Sequence, residues 1–197
     1  MPRLLIVVAS TRPGRVGRSV ADWFIEVASR GAPFDVDVVD LAVLDLPFLD
    51  EPNHPSEQRY IHPHTKRWSD MVAAADAVVL VMPEYNHGFS APLKNALDFL
   101  YREWEYKPVG FVSYGGISGG TRAVQMIKQV VTTFRMFPVA EAVNIPYVKT
   151  HMTEDASFRA PEGLEGAALK MLDVMARLTE ALAPMRVSDA RDVGMAQ

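Results

Sequence analysis

The stretch 82-MPEYNHGFSAPLKNALDFL-100 passes from a core to a helix within a few residues. Ahead of it runs "DAVVLVMP" (Asp76–Pro83), a continuous β-branched run of the kind found in strands buried on both faces. Beyond it Leu93, Leu97 and Leu100 recur at helical spacing, and Pro92 suits a first helical turn. Between them sit Glu84, Tyr85, Asn86 and His87: a carboxylate, a phenol, an amide and an imidazole on one short turn. Strand, polar turn and helix in that order is the unit from which parallel sheets are built.

The unit recurs on both sides. "RLLIVVA" (Arg3–Ala9) is another buried run, and Val20, Trp23, Phe24, Val27 and Ala28 form the helical stripe after it. "FDVDVVDL" alternates like a half-buried strand, "PVGFVSYG" is a buried one, and "EAVNIPYV" is a weaker fifth. Three further stripes read as helices: Trp68, Met71, Val72 and Ala75; Val124, Ile127, Val131 and Phe134; and Leu164 to Leu182. The alternation predicts an α/β fold with a parallel sheet and helices on both faces. Residues 1–184 are expected to form one domain, and 185–197 a flexible tail. One connection, Leu41–His64, is long and holds four prolines; it reads as a surface excursion, a lid or a partner contact.

Composition narrows the function. A formal net charge of −4 argues against a nucleic-acid or anionic-membrane surface. The absence of cysteine excludes disulfides, thiolate catalysis and Cys-based metal sites, and suits a cytoplasmic protein. His54, His62 and His64 lie in the long excursion without ligand spacing and read as solvated; no metal site is assigned.

In open α/β sheets, ligands bind beyond the carboxyl ends of the strands, at the switch in strand order. The loops there are the oddest in the chain. "STRPGRVGRS" puts Ser10, Thr11, Arg12, Arg15, Gly17 and Arg18 between a strand and a helix N-terminus, where free N–H groups and the dipole favour an anion. A solvated basic turn is the plainer alternative. Arg12 stands where a nucleoside-triphosphate loop needs its first glycine, and no G-x-G-x-x-G is present. That leaves the terminal phosphate of a mononucleotide. "PEYNHG" can edge a flat heterocycle with Pro83, Glu84, Tyr85 and Asn86; a tight structural turn is the alternative. "SYGGISGGT" holds four glycines, allowing close backbone approach to a ligand at Ser113, Tyr114, Gly115 and Gly116.

Taken together and in this order, the three loops resemble the NADPH-dependent FMN reductases, a flavodoxin-like family that includes quinone, azo-dye and chromate reductases. The resemblance spans roughly Arg3 to Tyr147 and is strongest in "MPEYNHGFSAPLKNALDFL", which is very close to P-E-Y-N-x-x-x-P-x-x-K-N-x-x-D, with P-E-Y-N at 83–86 and K-N-x-x-D at 94–98 and Pro92 at a different spacing. It implies a three-layer sandwich whose five parallel strands run in the order 2-1-3-4-5. It implies FMN as cofactor, with the "PEYN" turn at the isoalloxazine and Ser113–Gly116 near its pyrimidine side. It implies NADPH or NADH as donor, a small-molecule electron acceptor, a ping-pong cycle and a homodimer or homotetramer. No side chain need act as acid or base, so no catalytic residue is assigned. The competing function is a flavodoxin-type electron carrier without nucleotide turnover. A receiver domain is excluded, since Ser10 and Pro83 stand where its aspartates belong.

Overall fold

The computed structural model describes residues 1–192, with side chains to residue 186. In chain order the elements are β1 (Arg3–Val8), α1 (Gly17–Gly31), β2 (Asp35–Asp40), the short α2 (Leu41–Leu44), α3 (Pro63–Ala73) and β3 (Ala77–Pro83). Then come α4 (Ala91–Asp98), β4 (Pro108–Tyr114), α5 (Thr121–Thr133), β5 (Phe137–Ile145) and α6 (Leu164–Asp192). All four strand pairings are parallel, and the order is β2-β1-β3-β4-β5, as the resemblance implies.

Side chains of a strand alternate between faces, so a fully apolar strand feeds two cores. Leu5, Val7, Val78, Leu80, Met82 and Phe111 face α3, α4 and α5. Leu4, Ile6, Val8, Val79, Val81 and Val112 face α1 and α6. On the first side Trp68 and Trp104 meet edge-on at 5.7 Å, and their indole N–H groups donate to Ala96 O and Leu97 O. Truncating either ring would cost about 3–5 kcal/mol. Phe99 and Trp104 are therefore core. On the other side a Cβ at Gly110 would sit 2.6 Å from Met175 Sδ, which is why α6 can lie close on the sheet.

Two expectations shift. The fifth strand begins at Phe137 and ends at Ile145 rather than covering Glu141–Val148. Pro146 has no N–H for the ladder and Tyr147 turns left-handed at φ 47°, so the chain leaves the sheet there. The final helix runs on through Pro184 to Asp192, so the expected tail starts as its last turns; residues 193–197 lie outside the described residues.

The excursion after β2 is anchored at several points. Asn95, inside the sequence motif, donates to Pro47 O (2.7 Å) and accepts from Leu49 N (3.0 Å). Glu51 accepts from the N–H groups of Ile61 (2.8 Å) and His62 (3.0 Å). His62 and His64 stack at 5.1 Å, and His64 Nε2 lies 3.0 Å from Asp50. Among the described residues no helix is long and apolar enough to cross a membrane.

Candidate active site

The loops after β1, β3 and β4 converge at the carboxyl edge of the sheet around a cavity of about 350 Å³. That size falls within the usual range for small-molecule sites. Arg12, Arg15, Val16, Pro83, Glu84, Tyr85, Tyr114, Gly115 and Gly116 line it, joined by a wall that sequence reasoning missed, Tyr147–Thr150 after β5. The missed wall had a findable signal. β5 is the neighbour of β4, so the rule that selected the other loops applies to its carboxyl end too.

The first loop turns on Pro13-Gly14. Gly14 has φ 70° and Arg15 N–H donates to Arg12 O (3.1 Å), the geometry of a type II turn with Pro and Gly in their favoured places. α1 then starts without a side-chain cap and without an acidic residue in its first turn, so its N-terminal N–H groups and dipole are uncompensated. Ser10 is wholly buried and Tyr114 nearly so; their hydroxyls face each other, and neither Ser10 Oγ nor Tyr114 Oη has a well-formed hydrogen-bond partner among the described residues. Burial pushes the Tyr114 phenol up, so it keeps its proton as a donor. A Cβ at Gly17 would collide with both oxygens. Glycine is therefore required where two unsatisfied hydroxyls meet a bare helix N-terminus.

The three arginines divide. Arg15 reaches the cavity, but its guanidinium forks onto Asp40 (2.6 and 2.7 Å) and also donates to Ser10 O. Arg18 pairs with Asp22 (2.8 Å) and faces a separate groove with Val38, Val43 and Met71. Arg12 lines the cavity with no ion-pair partner among the described residues, and so does Lys149. Thr11 is half-buried and off the cavity wall.

The polar turn after β3 is a two-residue hairpin. Tyr85 and Gly88 exchange both backbone hydrogen bonds at 2.9 Å, and Asn86 and His87 have φ 49° and 71°. This is the turn in which asparagine is favoured at the first position. Asn86 is absent from the cavity walls, while Tyr85 lines them. The Glu84 carboxylate faces α5: it accepts from Arg122 Nε (2.7 Å) and from the Arg122 N–H (3.1 Å) at that helix's first turn. Burial pushes this carboxyl up, but its hydrogen bonds prevail and hold it below the usual range. Arg122 Nη1 also donates to His87 Nε2 (2.8 Å), placing that ring's proton on Nδ1. Ser90 Oγ donates to Ala9 O (2.8 Å), tying this loop to the end of β1.

In the glycine loop, Gly115 N–H donates to Ile145 O (3.2 Å), so Gly115 contributes shape rather than a donor. Gly116 N–H has no partner among the described residues. Ser113 is buried within 2.9 Å of Gly119 O and Asn144 Oδ1; it braces the loop from below.

The arrangement fits a phosphorylated flavin. Orphaned hydroxyls, a bare helix N-terminus and Arg12 gather at one end, and an exposed phenol and glycine backbone stand at the other. Comparisons agree. The relative described as NAD(P)H-dependent FMN reductase in Schizosaccharomyces pombe is 41% identical over 149 residues, 74% of each chain. An NADPH azoreductase of Bacillus sp. is 35% identical over 123 residues, covering 60% of this chain and 64% of its own. A probable NADPH:quinone oxidoreductase of Oryza sativa is 32% identical over 132 residues, covering 65% and 63%. In structure, the flavoenzyme NAD(P)H:(acceptor) oxidoreductase of Paracoccus denitrificans superposes with a TM-score of 0.73 at 20% identity, over 92% of this chain and 98% of its own, which supports the fold. The sequence model described as NADPH-dependent FMN reductase matches residues 2–150, and the chain belongs to that family.

Proposed function

We propose that this chain oxidises NAD(P)H through bound FMN and passes the electrons to a small planar acceptor of the quinone or azo class. Family membership supports the oxidoreductase class and both cofactors. The observation that carries the site assignment is the facing pair of buried hydroxyls, Ser10 and Tyr114, neither with a well-formed partner among the described residues, beside Gly17 at the bare start of α1. Buried polar groups without partners are rare, and a phosphate supplies acceptors for both.

In this reading Ser10, Tyr114, Arg12 and the α1 N–H groups hold the phosphate. Arg15 shapes their loop through Asp40. Tyr85 and the Gly115–Gly116 backbone border the ring. Bound there, FMN would supply the redox chemistry that links oxidation of the nucleotide to reduction of the acceptor. The chain's part is to bind, orient and leave one side of the cavity open, so that donor and acceptor use the same place in turn. No side chain at the site is needed to move a proton.

A homodimer or homotetramer belongs to the same proposal. Phe48 is 86% exposed and Val43 79%, on the anchored excursion beside α4; apolar surface of that kind suits a second copy. A cytoplasmic location is proposed as well, where NADPH is kept reduced.

Anaerobic addition of NADPH to the FMN-loaded protein tests the reading. Bleaching of the flavin absorbance, with return of colour on adding a quinone, is the expected result. Tight FMN binding without bleaching would make the chain an electron carrier instead.

A further inference from the structure

The wall formed by Tyr147–Thr150 carries no part of the sequence motifs, yet it is built with care. Tyr147 holds φ 47°, a left-handed backbone that is unfavourable for a residue with a bulky side chain. Three hydrogen bonds impose it. Its N–H donates to Gly116 O (2.9 Å), and its carbonyl accepts from Thr150 N (2.8 Å) and Thr150 Oγ1 (2.9 Å). The next residue, Val148, is buried and donates its N–H to Gly115 O (3.1 Å). The segment is thus fastened to the glycine loop at two successive carbonyls.

The side chain held in this way has no role in the core. It is 55% exposed and lines the cavity, and among the described residues its ring has no aromatic partner and its hydroxyl no hydrogen bond. Across the cavity the other exposed phenol is Tyr85, 41% exposed, on the loop after β3. β3 and β5 are both neighbours of β4, so their ends stand about 10 Å apart.

We propose that Tyr147 is a cofactor-binding residue whose ring contacts the pyrimidine end of the flavin from the β5 side. Its attachment to Gly115 and Gly116 keeps it beside the glycine loop, which the resemblance puts near that end. The inference rests on the flavin reading of the cavity and extends it to a loop outside the fingerprint.

The test is titration of FMN into the apoprotein, following both affinity and the emission of the bound flavin. Phenols and indoles in contact with a flavin quench its emission by electron transfer; aliphatic side chains do not. Tyr147→Leu and Tyr147→Trp are compared with wild type, each also in a Tyr85→Phe background that removes the other exposed phenol. The Leu variant is expected to bind FMN about 3- to 10-fold more weakly, the range of one lost aromatic contact, with brighter bound flavin. The Trp variant is expected to keep both wild-type affinity and quenching. Emission unchanged in the Leu variant, in both backgrounds, overturns the contact, whether or not affinity falls; weaker binding alone would assign Tyr147 to loop structure. A wild-type chain that binds no FMN overturns the flavin reading itself, and this inference with it.

Discussion

Arg15 forks onto Asp40, Nη1 to Oδ1 at 2.6 Å and Nη2 to Oδ2 at 2.7 Å, joining the loop after β1 to the end of β2. Asp40 also accepts from Ala42 N–H (3.0 Å), capping α2. Asp40→Ala strands a guanidinium that is only 18% exposed. The expected loss is about 2–3 kcal/mol, at or below the low end for a broken buried pair because Arg15 keeps some water, together with weaker FMN binding. Burial pushes the Asp40 carboxyl up, but Arg15 and the Ala42 N–H hold it lower than its ordinary 3.8. The pair thus contributes its full stability above that value and loses it as pH falls below. Denaturant melts from pH 5 to pH 2 should show a shallower acid limb in Asp40→Ala than in wild type.

Gly17→Ala sets two effects against each other. Alanine improves helix propensity by about 1 kcal/mol. Its Cβ collides with Ser10 Oγ and Tyr114 Oη, and overpacking of that kind costs about 1–3 kcal/mol. Sterics should prevail, with lower stability and at least about a tenfold loss of FMN affinity, since the displaced hydroxyls are the proposed phosphate ligands. Gly116→Ala is the control: a Cβ there meets nothing within 4 Å, and the melting temperature should hold.

Tyr114→Phe separates binding from stability. It removes a buried hydroxyl that has no well-formed partner among the described residues, so the apoprotein should gain up to about 1 kcal/mol. The same change removes a donor from the phosphate, and FMN affinity should fall about 10-fold or more. Opposite signs in a thermal melt and an FMN titration are the expected pattern; a loss in both would mean the hydroxyl has a structural role.

Glu84→Gln probes the motif residue whose carboxylate faces α5. It gives up the charge paired with Arg122 at that helix's first turn. The expected result is a loss of about 1–2 kcal/mol with FMN affinity changed less than about threefold, read by the same two measurements.

Lys107 lies at the far end of the sheet, buried, with its ammonium donating to Val72 O. Desolvation, then the nearby Arg186 charge, lower it to about 7 against the attraction of Asp76 and Glu103. Between pH 7 and its ordinary 10.5 the unfolded chain binds the extra proton, so this group makes stability rise with pH across that window. The gain is on the order of 4 kcal/mol. Melts from pH 7 to 10 should show the rise, and Lys107→Met should flatten it.

The strands were legible because β-branched runs such as Arg3–Ala9 admit few other readings, and the loops because chemistry clusters where sheets end. What stayed hidden depended on contacts far apart in sequence. Nothing near Arg15 announces that Asp40 will take its charge, or that Glu84 will turn to Arg122 while Asn86 serves backbone geometry. Asn95 looked like part of a cofactor motif and anchors the long excursion instead. Tyr147 was read as part of a strand, and the left-handed turn that brings it to the cavity follows from bonds to a loop thirty residues earlier.

Ser90, whose hydroxyl meets the carbonyl of Ala9, joins the loop expected at the phosphate to the turn expected at the ring. Both ends of the site are thus mounted on one bracket and cannot drift apart independently. Anyone exchanging the "PEYN" turn between relatives would have to carry that serine along. A graft without it would present the right side chains on a loosened mount.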